Sequence, residues 1–300
     1  MPKVDGTLAG CGTALVTPFD TSGAVDEAAL RAFVDWQLNE GVHFVVPCGS
    51  TGEAATMTLE EHRRVVEITV EQVNGRVPVV AGAGSNDTQK AIALSKEMHS
   101  LGVTHLLHTS PMYNKPPQRG IVAHFRAIAD AVDLPIVIYN VPGRTGSNVE
   151  AATTLELAQD ERFVAVKEAS GNLAQITEII RSCPPRFSVL SGDDAMTVPV
   201  MAEGGDGVVS VTSNVLPKLV SQLTECLALG DLVQARNISQ RLSPWTVAAF
   251  VESNPIPTKA ALALMGKMKN VLRLPLVPLA DKHSDVLRAS LTSVGALTTA

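Results

Sequence analysis

The sequence predicts an α/β fold, a (β/α)8 barrel of the TIM type with a C-terminal helical extension, and three observations carry that prediction. Eight short apolar runs recur along the chain, a polar turn and a helical pattern follow each, and the alternation stops near residue 225. The runs are GTALVT (12–17), HFVVPC (43–48), VPVVAG (77–82), HLLHT (105–109), PIVIYN (135–140), FVAVKE (163–168), FSVLSG (187–192) and GVVSVT (207–212). Each is almost continuously hydrophobic, as strands covered on both faces are. Strands that alternate with helices pair in parallel through right-handed crossovers. Eight such units favour a closed barrel over an open sheet, and no GxGxxG follows the first run to suggest a bound dinucleotide.

The helices announce their starts. Thr58 and Glu61 form the capping-box pair of a helix running through Val73. Asp26 and Asp87 suit the caps of neighbouring helices, and Gly41 and Gly75 stand where C-terminal glycines belong. Beyond residue 225, Ala- and Leu-rich segments (231–252, 256–268 and 281–296) alternate with prolines and contain no strand-like run. We therefore expect a barrel domain over 1–225 and a helical domain over 226–300, packed on the barrel because no low-complexity linker separates them.

Composition excludes several function classes. With 300 residues, a net charge of −6 and 18 % charged residues, the chain has no basic stripe for nucleic acid. No apolar stretch reaches the roughly 18 residues of a membrane span, and the start MPKVDGTLAG lacks the apolar core of a secretory signal. The four cysteines form no CxxC pair and suit the reducing conditions of a cytoplasm. No His/Asp/Glu/Cys set has metal-ligand spacing, and His43, His105 and His108 read as packing residues in apolar strands. Asp193 and Asp194 most simply cap the helix after the seventh strand.

In a barrel of this type the functional groups collect at the C-terminal ends of the strands. Lys167 ends the sixth run, so the strand carries it directly out of the apolar interior. Burial disfavours an ammonium and lowers its pKa; an unperturbed lysine is unprotonated in only about one molecule in 10³ to 10⁴ at neutral pH. Lys167 is thus a candidate nucleophile, although the same position is compatible with a lysine that reaches water or pairs with Glu168. Tyr139 ends the preceding run, where a phenol can shuttle protons for imine chemistry or simply close the core. Arg144, in VPGRTG, suits bidentate capture of a carboxylate, and Ser50 and Thr51, in GSTGE, offer neutral donors to another. Tyr113 lies in the Pro-rich loop PMYNKPPQ, where it could equally serve a subunit contact.

Four segments in order, GSTGE, PMYNKPPQ, YNVPGRTG and VAVKEASGN, resemble the dihydrodipicolinate synthase family, the pyruvate-dependent aldolases that also include N-acetylneuraminate lyase. The similarity runs from about Gly10 to ESNPIPTKAAL at 252–262. The resemblance implies that Lys167 forms an imine with pyruvate and that Tyr139 assists proton transfer. It implies a hydroxyl relay in which Thr51 links Tyr139 to a Tyr113 supplied by a neighbouring subunit of a homotetramer, a dimer of dimers. Ser50 and Thr51 would hold the pyruvate carboxylate, Arg144 the carboxylate of L-aspartate 4-semialdehyde, and the backbone at Gly192 and Val209 would line the pocket. The product would be 4-hydroxy-tetrahydrodipicolinate, on the route to diaminopimelate and lysine, with no cofactor beyond the covalent imine. GRTG resembles the synthase form of its loop, because a carboxylate on the aldehyde needs a fixed cation and a sugar chain does not. GSTGE is shared with the lyases, where synthases more often read GTTGE. Alternatives are thus another Schiff-base pyruvate aldolase, acting on sialic acid, a 2-oxo-3-deoxy-sugar acid or 4-hydroxy-2-oxoglutarate, and a catalytically silent barrel that binds a 2-oxo acid. Lysine-inhibited members carry an interface site that Ala55, His62 and Asn86 resemble, but Leu59, Lys90 and Met112 replace its usual His, Glu and Tyr. Lys90 reverses the charge that would meet the ligand's ammonium, which implies weak or absent feedback.

Overall fold

A computed structural model describes residues 7–297; residues 1–6 of the expected barrel segment and 298–300 of the extension lie outside them. The strands are β1 (Gly10–Ala14), β2 (Phe44–Val46), β3 (Val80–Gly82), β4 (His105–Thr109), β5 (Ile136–Asn140), β6 (Phe163–Glu168), β7 (Ser188–Ser191) and β8 (Gly207–Ser210). They form one parallel sheet in the order β2-β1-β8-β7-β6-β5-β4-β3. Its two ends meet: Val45 bridges Val79 in parallel, Val45 N donates to Pro78 O at 3.1 Å, and Gly82 N donates to Pro47 O at 3.0 Å. The sheet is a barrel.

One strand sits earlier than expected. The first apolar run spans 12–17, whereas pairing starts at Gly10 and ends at Ala14. The shift has a steric cause: a Cβ on Gly12 would lie 1.9 Å from the Phe44 ring, and one on Gly207 would lie 2.0 Å from the Gly10 carbonyl oxygen. Glycine here is demanded by close approach, and it leaves no hydrophobic signal in the sequence.

The helices start where their caps predict. Asp26 accepts from Ala29 N at 3.0 Å to open Glu27–Asn39, and Asp87 accepts from Gln89 N and Lys90 N to open Thr88–Ser100. Thr58 and Glu61 make the reciprocal capping box of Leu59–Val73. Gly41 (φ +87°) and Gly75 (φ +72°) take the left-handed turns past the helix ends, with Asn74 already left-handed at +46°.

The helix Pro217–Ala228 carries the chain across residue 225, and Leu232–Ala248, Ile256–Leu264 and Ser284–Ser293 follow. This extension shares the barrel's outer core: Ala235, Trp245, Ala261, Leu262 and Leu291 are buried with Leu15, Val16, Phe33 and Val34. Trp245 is fully buried and donates Nε1 to Thr212 O at 3.3 Å, just past β8. Among the described residues, no helix is long and apolar enough to cross a membrane.

Candidate active site

Strand alternation decides what faces the barrel interior. Val137 and Tyr139 of β5 and Ala165 of β6 join an inner cluster with Ala14, Val46, Leu107, Leu190 and Val209. Ile136, Ile138, Phe163 and Val166 face outward against the helices. Lys167, two residues after Ala165, takes the inward face and is paired in register with Tyr139. Glu168 therefore points the other way. Its carboxylate accepts from Asn140 Nδ2 (3.0 and 3.2 Å), Ser170 N (2.7 Å) and Gln175 Nε2 (3.0 Å), so it is not the counter-ion of Lys167.

At the C-terminal mouth of the barrel is a cavity of about 660 Å³ that contains Lys167, Tyr139, Ser50, Thr51, Arg144 and Gly192 in its wall. Lys167 is 6 % exposed, and its Nζ lies 4.1 Å from the centroid of the Tyr139 ring. Among the described residues the amine has no hydrogen-bond or ion-pair partner. Burial pushes its pKa down to about 7; the negative charge of Asp194 opposes that shift and the Arg144 guanidinium adds to it. At such a pKa about half the amine is free base at neutral pH, which makes it a competent nucleophile. Burial pushes the Tyr139 phenol up to about 12, with Arg144 acting in the opposite sense. Tyr139 is therefore a neutral hydroxyl at physiological pH, able to donate a proton and to recover it. Gly192 leaves room for the lysine stem: a Cβ there would lie 3.1 Å from Lys167 Cγ and 2.8 Å from Ala169 Cβ.

The loop after β2 presents the neutral donors. Gly52 N donates to Gly49 O at 3.1 Å, Glu53 N to Ser50 O at 3.2 Å, and Thr17 Oγ1 to Gly52 O at 2.8 Å. Cys48 (φ +55°) and Glu53 (φ +57°) hold left-handed conformations at either side of it, a strain that only firm anchoring sustains. The anchor is the Glu53 side chain, which meets Lys259 Nζ at 2.5 Å with both side chains fully buried. Lys259 also donates to Val271 O at 2.8 Å, and Arg273 N donates to Glu53 Oε2 at 3.1 Å. The Arg273 guanidinium pairs with Glu61 and donates to Gly23 O and Thr56 O.

Not every expected residue meets the cavity. Val209 belongs to the inner barrel cluster but is not among the cavity-lining residues, and Val211 takes its place in the wall. A strand residue at that depth is covered by the layer above it. Tyr113, at φ +73°, is 88 % exposed and is not among the residues that line this chain's own cavity. Thr51 is buried, with its Oγ1 accepting from Asn254 Nδ2 at 2.8 Å, whereas Ser50 is exposed at the cavity and its hydroxyl has no partner among the described residues. Arg144 sits in a single helical turn, Pro142–Thr145, which Gly146 (φ +74°) ends. Asp193 caps the short turn after β7, as expected. Asp194 instead accepts from Ser210 Oγ (2.5 Å), Val211 N (2.9 Å) and Thr212 N (3.0 Å), which ties β7 to β8. Of the site named as a relative of the lysine-binding one, Ala55, His62 and Met112 line the cavity, while Leu59 is half exposed and Lys90 exposed.

Sequence reasoning missed the contribution of the C-terminal segment. Thr246, Val247, Phe250 and Asn254 all line the cavity. Among the lining residues the cations are Arg144 and Lys167 and the carboxylate is Asp193, so the cavity suits anionic ligands. No group of three His, Cys, Asp or Glu residues that could hold a metal occurs among the described residues.

Comparison with known proteins agrees with this geometry. A model of the dihydrodipicolinate synthetase family matches residues 7–294. The chain is 50 % identical to the 4-hydroxy-tetrahydrodipicolinate synthase of Pelobacter propionicus over 286 residues, 95 % of this chain and 98 % of that one. The synthase of Koribacter versatilis is 49 % identical over 291 residues, 97 % of each chain. Among solved structures, dihydrodipicolinate synthase from Thermotoga maritima superposes with a TM-score of 0.95 at 42 % identity, covering 97 % of this chain and 100 % of that one. The Acinetobacter baumannii synthase complexed with pyruvate gives 0.95 at 38 % identity, covering 97 % and 100 %. A barrel with a lysine and a tyrosine paired at its mouth, a family match across almost the entire described chain and relatives near half identical over almost all of their length have one reading: the chain belongs to the dihydrodipicolinate synthetase family.

Proposed function

We propose that this chain is a 4-hydroxy-tetrahydrodipicolinate synthase that condenses pyruvate with L-aspartate 4-semialdehyde. The observation that carries the reading is Lys167, an amine with a pKa lowered to about 7, facing a cavity and lying over the Tyr139 ring. The relatives named as synthases, and the pyruvate complex of one of them, support the choice of first substrate. Lys167 Nζ attacks the pyruvate C2 carbonyl, and Tyr139 protonates the carbinolamine hydroxyl so that it leaves as water. Loss of a C3 proton turns the imine into an enamine. Its C3 attacks the aldehyde carbon, and the new alkoxide takes up a proton. The substrate's own amine then attacks C2, closes the ring and displaces Lys167.

Ser50 and Thr51 would donate to the pyruvate carboxylate, and Arg144 would pair with the carboxylate of the aldehyde. Proton exchange at Tyr139 would be completed by Tyr113 of a second copy, in keeping with the exposure of Tyr113 here and with a homotetramer, while Thr51, whose Oγ1 bonds Asn254 and not Tyr139 among the described residues, would serve the carboxylate. No cofactor or metal is needed, because the imine itself is the electron sink. The expected setting is the cytoplasm, and Leu59, Lys90 and Met112 argue for weak or absent inhibition by lysine. Product formation with aspartate semialdehyde, set beside cleavage of N-acetylneuraminate and 2-oxo-3-deoxy-sugar acids, tests the choice of second substrate. Turnover of a sugar acid in preference to the semialdehyde would select another pyruvate aldolase. Half-inhibition by submillimolar lysine would overturn the regulatory reading.

A further inference from the structure

We infer that Asn254 is a positioning residue that turns the Thr51 hydroxyl toward the substrate carboxylate; this rests on the pyruvate reading above. Asn254 comes from the loop between Leu232–Ala248 and Ile256–Leu264, outside the barrel strands, yet it lines the same cavity as Lys167. Its Nδ2 donates to Thr51 Oγ1 at 2.8 Å across 203 residues of sequence. A threonine hydroxyl has one proton and two lone pairs. With an amide N–H on one lone pair, the Thr51 proton is turned away from Asn254. Thr51 Oγ1 has no other partner among the described residues, so its proton is left for an acceptor on the cavity side. A carboxylate accepts hydrogen bonds and donates none, and a threonine held as donor is what it requires.

Two further observations set Asn254 apart from a packing residue. Its Oδ1 is buried and receives no hydrogen bond from any described residue, although buried amide oxygens are almost always paired. Its main-chain oxygen accepts from Arg144 Nη2 at 3.4 Å, so side chain and backbone address the two carboxylate-binding groups separately. The loop is held in place by Lys259, whose ion pair with Glu53 fastens the C-terminal segment to the same loop that bears Thr51.

The experiment measures pyruvate half-saturation of the borohydride-trapped adduct and the KM for the aldehyde in Asn254→Ala, Asn254→Asp and Thr51→Val, and in each Asn254 change combined with Thr51→Val. An aspartate keeps the shape but cannot donate, so Thr51 would donate to it and its proton would be lost to the substrate. Both single Asn254 changes are expected to raise pyruvate half-saturation at least tenfold and to leave the aldehyde KM within twofold. In the Thr51→Val background the added effect falls below twofold, because the group through which Asn254 acts is gone. Unchanged pyruvate half-saturation in either single variant overturns the assignment. So does an equal rise in both constants, which marks a displaced loop, or an undiminished effect with Thr51→Val, which marks direct action of Asn254 or of its new charge. If wild-type Lys167 forms no pyruvate adduct, the functional reading fails first; an adduct that forms and is indifferent to Asn254 refutes this inference alone.

Discussion

Lys167 and Lys259 are both buried, and each ammonium lies 4.1 Å from an aromatic ring, that of Tyr139 in one case and of Phe19 in the other. Burial pushes both amines below the usual lysine range. Their partners differ. Lys259 is fastened to Glu53 and to Val271 O, and the Glu53 charge pulls its pKa back up. Among the described residues Lys167 bonds neither carboxylate nor carbonyl, and it faces a cavity of about 660 Å³. A buried lysine with a bonded carboxylate is a fastening. A buried lysine without one is held ready to lose its proton, and only the second arrangement makes a nucleophile.

The largest expected effect follows from removing the reactive amine. Lys167→Ala should lower turnover on the order of 10³-fold or more, as loss of a covalent nucleophile does, and abolish reducible pyruvate adducts. Lys167→Met should have a second consequence, readable by thermal melts across pH. The folded-state pKa is depressed relative to the unfolded chain, so the protonated amine disfavours the fold fully below about pH 7. That cost fades as pH rises toward 10, so Lys167→Met should be more stable than wild type at pH 6 and lose that advantage in alkali. Equal melting shifts at both pH values would contradict the buried, unpaired amine.

Lys259→Met should do the opposite. It orphans the Glu53 carboxylate, and breaking a buried ion pair from one side costs about 3–5 kcal/mol. Urea unfolding should show that loss, with much of it regained when Glu53→Gln is added. A neutral result would mean that the pair is not the anchor of the Thr51 loop.

Smaller effects probe the surroundings of Lys167. Asp194 raises its pKa and Arg144 lowers it, so Asp194→Asn should move the pH midpoint of adduct formation down and Arg144→Met should move it up. Movement of both in one direction would show that folding, not charge, had changed. The smallest effect is a control that bonds neither amine. Asp26→Ala removes the cap of Glu27–Asn39, should cost about 1 kcal/mol in urea unfolding, and should leave the pH midpoint unmoved.

The same pair of lysines shows what was legible beforehand. Lys167 ends an apolar run, and strand alternation made its inward placement readable. That its neighbour Glu168 is no counter-ion follows from the outward bonds to Asn140 and Gln175, which join residues that no sequence pattern links. Lys259 reads as an ordinary helix lysine, since its carboxylate lies 206 residues away in sequence and no periodicity links the two. Asn254 was hidden for the same reason. The barrel's strands were visible as hydrophobic runs except where Gly10 and Gly12 begin β1, because packing there demands the absence of a side chain. Arg144 and Thr51 were found as residue types suited to carboxylates. Tyr113 was readable from its Pro-rich loop, but only the family resemblance suggested a role for its ring, which is exposed in this chain.

The most direct test of the account is the pH dependence of borohydride-trapped pyruvate adduct, mapped by mass spectrometry to individual lysines. One pyruvyl group is expected, on Lys167, with initial trapping rates that rise to a plateau through a midpoint near pH 7. A midpoint near that of a free lysine, or an adduct on Lys259 instead, would contradict it.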